Sequence, residues 1–210
     1  MGVNGWSIER CTAQFIELCS TAFTPREFHN VPGLGYAARI NHGSKYKTKP
    51  LYKALQSLGD APIFGGVNRF QDASLQYATK VAVTSTDEAG RKAVVISNYN
   101  RCGDDLPNIE FHRGDDPEGE LRVWEAAAAT TAAAPYFKPY DNQRLGKTYY
   151  DGAFYNNNPA RVAHRERQWL WPDVSQRDPD IFLSLGTGQD EKDIKAKKPQ
   201  RSTVVRLNDR

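Results

Sequence analysis

Residues 150 to 159 run Tyr150-Asp151-Gly152-Ala153-Phe154-Tyr155-Asn156-Asn157-Asn158-Pro159. An aspartate followed by glycine lets the backbone pass close to a neighbour with no side chain in the way. It leaves the carboxylate at a loop mouth, where it can accept a proton. A plainer reading of the same residues is an Asp-Gly turn followed by an Asn-rich helix cap. Asn158 as cap and Pro159 at the first helical position predict a helix that ends before Trp171-Pro172. On the N-terminal side, a helix is predicted from near Leu121 through Trp124-Glu125 until Pro135 stops it. It holds seven alanines between residues 124 and 134. That density predicts tight packing on a sheet, where larger side chains would not fit.

Working outward, Ser7 is a plausible cap for a helix over residues 7–23, with Ile8, Cys11, Phe15, Leu18, Cys19 and Ala22 on one face. This places Cys11 and Cys19 on the buried side as plain core residues. Residues 24–48 read as polar loop, and a second helix is expected from Pro50, presenting Leu51, Ala54, Leu55 and Leu58. Lys80–Ser85 and Ala93–Ser97 are β-branched runs around a polar turn, a strand pair. Residues 98–120 read as surface loop, and Tyr149–Ala153 as a short turn-bounded segment. Ile181–Leu185 reads as an apolar strand stopping at Gly186-Thr187-Gly188, the pattern of a parallel sheet covered on both faces. Helices and strands intermix, so the class is α/β.

The chain has 210 residues, 39% hydrophobic and 25% charged, with a net charge of +3. Its mean hydropathy is −0.67, and no run of 18 apolar residues exists to span a bilayer. The first 20 residues lack the basic and apolar regions of a signal peptide. Lys and Arg are scattered along the sequence, which argues against a nucleic-acid footprint. Cys11, Cys19 and Cys102 form an odd, sparse set with no metal spacing, so a reduced, cytoplasmic setting is expected.

The segment at 150–159 resembles the Asp-Gly-Gly/Ala motif of the patatin-like phospholipases. Trp124–Ala133 resembles that family's tryptophan-led, alanine-rich helix, and Tyr136-Phe137-Lys138-Pro139 resembles the segment after that helix. Asn157-Asn158-Pro159 resembles the Asn-Asn-Pro after the motif, and Leu183–Gly188 the next strand and loop. Gly5–Glu9 and Phe23–Arg26 resemble the region after the nucleophile in fungal members. The resemblance implies a three-layer α/β/α sandwich, N-terminally truncated, with a partial domain over 1–188 and a polar tail or linker over 189–210. It implies a lipid acyl hydrolase of phospholipase A or acylglycerol lipase type, using a Ser–Asp dyad and neither a metal nor an organic cofactor. Asp151 would be the proton acceptor, with Gly152 and Ala153 completing the motif and Asn157, Asn158 and Pro159 a supporting loop. The partners implied are a phospholipid or acylglycerol substrate and a transient membrane or lipid-droplet surface, for a cytoplasmic, peripherally bound protein.

Two departures stand out. None of the ten serines lies in the Gly-x-Ser-x-Gly elbow that holds the family's nucleophile, and the family's Gly-rich oxyanion loop has no counterpart in these 210 residues. Met1 therefore reads as an internal start, and the chain as a fragment carrying the acid half of the dyad. The family also has Arg where Ala128 stands and Ser where Thr131 stands. Two other readings remain open: a non-catalytic interaction module, and an unrelated α/β ligand-binding domain using Asn156–Asn158. Gly33–Ala38 is a loose GxGxxA with no strand before it, and His29, His42, His112 and His164 are too dispersed for a metal cluster or a Ser-His-Asp triad. Trp169, Trp171 and Tyr149-Tyr150 read as core or loop anchors.

Overall fold

The computed structural model describes residues 6–27, 43–59, 79–87, 91–99 and 119–186. Gly33–Ala38, His29, His42, His112, Cys102 and the tail from 189 lie outside these residues. The chain divides into two compact units, Met1–Pro159 and Ala160–Arg210.

In the first unit, α1 spans Ile8–Ala22, and the Ser7 hydroxyl accepts the Arg10 N–H at 3.3 Å, as its capping chemistry predicts. Helix α2 spans Thr48–Gln56, starting two residues before the expected Pro50. The two helices pack through Ala22, Leu51 and Leu55, with Leu18 beside them. The predicted buried face of α1 is only partly buried. Ile8 is 64% exposed and Phe15 66%, while Cys11 and Cys19 are half-buried. Length explains the difference: α1 with 15 residues is about 22 Å long, and α2 with nine is about 13 Å.

Strands β1 (Ala82–Thr86) and β2 (Ala93–Ser97) form the expected antiparallel pair, Ala82 opposite Ser97 and Thr86 opposite Ala93. Asp87 closes its turn by accepting the Lys92 N–H at 2.8 Å, and Asn98 closes the open end by accepting the Val81 N–H at 2.7 Å. Helix α3 spans Val123–Thr130 and stops five residues short of Pro135. The Thr131 hydroxyl donates back to the Ala127 carbonyl at 2.8 Å, a local bond that competes with further helix. Next come β3 (Tyr140–Asn142) and β4 (Lys147–Asp151), a hairpin that the patterns along the sequence do not predict. Its turn needs Gly146 at φ +61°. A single-turn helix, α4 (Ala153–Asn156), comes directly after β4.

The sheet order is β2-β1-β4-β3, and every pairing is antiparallel. The expected parallel sheet is thus corrected for the described residues. Two of its connections are short turns, which join only antiparallel strands. Ile181–Leu185 corrects a second expectation: it forms no strand among the described residues, and Leu185 is 89% exposed. A strand exists only where a neighbour's backbone meets its own in a ladder, and the ladders of the described residues join only β1 through β4.

The alanines do what their density predicts. Ala126, Ala128, Ala129 and Ala132 are buried, so the α3 backbone reaches the sheet. The Thr130 hydroxyl donates to the Thr84 carbonyl of β1 at 2.7 Å. An aromatic cluster closes the core, with Tyr140 against Tyr52 (5.5 Å between ring centres), Trp124 (5.8 Å) and Tyr149 (6.4 Å). In the second unit, α5 spans Ala160–Leu170 and ends before Trp171-Pro172 as expected. The Arg167 guanidinium ties its last turn to the Val174 and Arg177 carbonyls at and beyond the short 3-10 turn over Pro172–Val174.

Burial pushes the Tyr52 and Tyr149 phenols up to about 12, helped by the charges of Asp141 and Glu125 respectively, and drives Tyr140 higher still. A folded-state value above the unfolded value of about 10 means the native state holds its protons longer. The stability these phenols contribute is therefore complete below about pH 10 and is lost as pH rises from there through about 12. Thermal melts across this range should fall steeply, with Tyr52, Tyr140 and Tyr149 ionising only as the chain unfolds. A phenolate titration complete near pH 10 in the folded chain would contradict this.

Candidate functional site

Asp151 is the last residue of β4, paired with Ser85 of β1. Its backbone is held from three sides. The Asp151 N–H donates to the Ala132 carbonyl beyond α3 at 3.1 Å, the Thr86 hydroxyl donates to the Asp151 carbonyl at 3.0 Å, and the Ser85 hydroxyl donates to the Tyr150 carbonyl at 2.7 Å. Ser85 and Thr86 are fully buried, so these hydroxyls have no water to turn to and the bonds fix the strand end.

The carboxylate is fixed by its own turn. Oδ1 accepts the Ala153 N–H at 2.6 Å, the local aspartate turn that suits this residue type. Among the described residues nothing engages Oδ2, and the side chain is half-buried. Gly152 has ordinary helical angles (φ −67°, ψ −16°), so what it supplies is space. A Cβ there would run into the Thr84 hydroxyl and lie 2.6 Å from the Thr84 carbonyl oxygen. Only glycine lets the chain pass this close to β1.

Ala153 then opens α4, whose last residue, Asn156, donates its N–H to the Gly152 carbonyl at 2.7 Å. The structure thus brings Asp151, Gly152 and Ala153 into one turn. Asn157, Asn158 and Pro159 lie beyond α4, exposed, and α5 starts at Ala160, one residue after Pro159. Ala128 is 1% exposed within the core, so an arginine at that position would have to bury its guanidinium.

Sequence reasoning missed Glu125. This carboxylate is 5% exposed and accepts from the Arg122 N–H (2.8 Å), Arg144 (3.0 Å), Asn142 (3.1 Å) and the Tyr140 hydroxyl (3.3 Å). It joins α3 to the hairpin whose far end carries Asp151. The available signal was the Trp-Glu pair opening an otherwise apolar helix. The hydroxyls at Ser85, Thr86 and Thr130 were a second: polar residues where a β-branched run and an alanine helix should be greasiest. Among the described residues no three His, Cys, Asp or Glu gather in a way that could hold a metal.

Comparison with known proteins bears on what this turn belongs to. The family model for patatin-like phospholipases matches residues 3–164. Human calcium-independent phospholipase A2-gamma is 35% identical over 105 residues, covering 50% of this chain and 12% of that protein. The rabbit (Oryctolagus cuniculus) protein of the same name is 33% identical over 133 residues, 61% of this chain and 15% of its own length. A cGAMP-activated phospholipase of Vibrio cholerae is 28% identical over 153 residues, 71% of this chain and 37% of its own. The chain therefore spans well under half the length of these relatives. No solved structure matches it.

Gly152→Ala should lower stability by about 1–3 kcal/mol, since the new methyl meets backbone that cannot yield. Ala153→Gly, at an exposed helix start, should stay within about 1 kcal/mol. Denaturant midpoints decide this, and equal losses in the two variants would refute the close-approach role of Gly152.

Proposed function

The chain belongs to the patatin-like phospholipase family, and from that premise we propose that it is the acid-bearing part of a lipid acyl hydrolase acting on phospholipids or acylglycerols. The observation that carries the reading is the Asp151–Gly152 turn. It presents a carboxylate whose Oδ1 is locked by the Ala153 N–H at 2.6 Å, so that Oδ2 is offered in one direction at little reorganisation cost. In the proposed reaction a serine hydroxyl gives its proton to Asp151 as its oxygen attacks the acyl carbonyl. The alcohol portion of the lipid departs with that proton and leaves an acyl-enzyme. Water then attacks, Asp151 takes and returns the second proton, and fatty acid and free serine result. The setting is the cytoplasm, in transient contact with a membrane or lipid-droplet surface.

The nucleophile of this scheme is not among the ten serines, none of which sits in a Gly-x-Ser-x-Gly elbow. The same inventory favours a second reading, an interaction module without catalysis. Expressed alone, the 210-residue chain should turn over no ester above background, because loss of a nucleophile costs on the order of 10⁶ in rate. In a longer chain with an elbow and oxyanion loop ahead of residue 1, hydrolysis should appear. There Asp151→Asn, which retains the Ala153 bond, should reduce kcat by roughly 10³- to 10⁴-fold with little loss of stability. Asp173→Asn, at an exposed aspartate, should stay within about threefold of the parent. An Asp151 variant at near-parent activity would remove the residue from the mechanism, and an inactive parent would leave the interaction-module reading.

A further inference from the structure

The lysines that are scattered along the sequence are not all scattered in space. Residues 45–47 are bonded on both sides. The Lys45 N–H donates to the Pro135 carbonyl (2.8 Å) and the Tyr46 N–H to the Tyr136 carbonyl (2.9 Å), while the Lys47 N–H donates to the Thr24 carbonyl (3.0 Å). This gathers Phe23, Tyr46 and Tyr136 into contact: Phe23 edge-on to Tyr46 at 5.2 Å, and Tyr46 stacked on Tyr136 at 6.4 Å. The Lys45 ammonium lies over both tyrosine rings, 5.2 and 5.8 Å from their centres. Lys49 is exposed in the first turn of α2, and Lys138 is exposed two residues after Tyr136.

Three features make this face unusual. Tyr136 is 48% exposed and Phe23 49%, large rings left open beside cations. The start of α2 has no side-chain cap and no acidic residue in its first turn; Lys47 holds the cap position instead. Helix N-termini carry partial positive charge and ordinarily attract acids, so cations there sum with the helix field rather than cancel it. Among the described residues the counter-charge seen is Glu27, which pairs with Lys47 at 3.1 Å, but both side chains are exposed, where such a pair is worth little.

We propose that this face, Lys45, Lys47, Lys49 and Lys138 around Phe23 and Tyr136, docks the protein on an anionic phospholipid surface. The proposal rests on the reading of the chain as a phospholipid-directed protein and adds which face meets the lipid and which lipid charge it selects. Lysine ammoniums suit headgroup phosphates and carboxylates, and amphipathic rings suit the boundary between headgroups and acyl chains. Complementary charge is the main argument. A single-stranded nucleic acid would need open ring faces for its bases, whereas Tyr46 and Tyr136 stack on each other beneath Lys45. The backbone links this face to the Asp151 turn: Ala132, whose carbonyl accepts the Asp151 N–H, leads through one turn to Tyr136, whose N–H bonds the Ala133 carbonyl at 2.8 Å.

The test is flotation of the 210-residue chain with vesicles of phosphatidylcholine alone and of phosphatidylcholine with phosphatidylserine. Binding should require phosphatidylserine and collapse as salt rises from about 0.1 M to about 1 M. Replacing Lys45, Lys47 and Lys49 together by Gln should weaken it on the order of a hundredfold, about fivefold per lysine. Lys147→Gln, at an exposed lysine on β4, should leave it unchanged. If the triple variant melts early, Lys49→Gln alone carries the test, with about a fivefold loss. Equal binding to neutral vesicles, absence of binding to either, or equally tight lysine-dependent binding of a short RNA would each overturn the proposal. Asp151→Asn should not affect flotation. Hydrolysis in the longer chain is scored separately, so failure of the docking face and failure of the hydrolase reading are told apart.

Discussion

The Glu125 carboxylate is the fixed point of the first unit. Taking an ionised carboxylate out of water costs several kcal/mol even after the protein relaxes. It is tolerated because four donors converge on it, and hydrogen bonds to a charged group contribute about 1.5–3 kcal/mol each. Those donors come from 3, 15, 17 and 19 residues away. They set the N-terminus of α3, the length of β3 and the β3–β4 turn at once. Because Arg144 is 41% exposed at its side chain, the pair is open on one flank, and only the Tyr140 and Asn142 partners are fully enclosed. The same charge also raises the Tyr140 and Tyr149 phenols, which keeps the aromatic cluster neutral and able to pack.

With α3 held at its first turn by Glu125 and just past its last by the Ala132–Asp151 bond, the hairpin is clamped along its length. Alanine on α3 and glycine at 152 are two answers to one demand, that backbones touch. Ala128 and Ala129 let α3 settle on the sheet, and Gly152 lets β4 turn away across Thr84. Side-chain hydroxyls then fill the spaces that Cβ-rich residues would have blocked. Ser85, Thr86 and Thr130 bond carbonyls on the neighbouring element rather than their own. That is why a strand beginning with Ala-Val ends in three hydroxylated residues.

What was legible in the sequence was local. Ser7 marked the start of α1 because a cap acts within three residues, and the β-branched runs at 82–86 and 93–97 marked a hairpin because their partners are adjacent. Asp151–Gly152 stood out for the same reason: the bond from Ala153 and the missing side chain are both properties of the turn. What was not legible depended on distance. Nothing near Glu125 announces Arg144. β3 has three residues and its inward side chains are Tyr140 and Asn142, which no alternation of apolar residues would reveal. Ile181–Leu185 has strand composition, yet composition alone does not place a run in a ladder. α1 has an apolar face longer than the helix that covers it. Charge behaved likewise, since Lys45 lies over the Tyr136 ring only because residues 45–46 and 135–136 are bonded together.

The contacts that orient Asp151 also bear on how a dyad could be split between segments. The strand end and the turn are held by Ser85, Thr86, Ala132 and Ala153, all between residues 85 and 153, and the hairpin behind them by Glu125. None of these bonds comes from α1 or from anything before it. Among the described residues, Asp151 is therefore set in place by the sheet, by Ala132 just past α3 and by the start of α4, which closes its turn. A serine that meets Oδ2 meets a carboxylate whose direction has been decided by Gly152 and Ala153. In the proposed reaction the ordering cost of the acid would thus be met in folding rather than at the moment of reaction. α1 is seated separately, on α2, and that contact covers only its C-terminal turns.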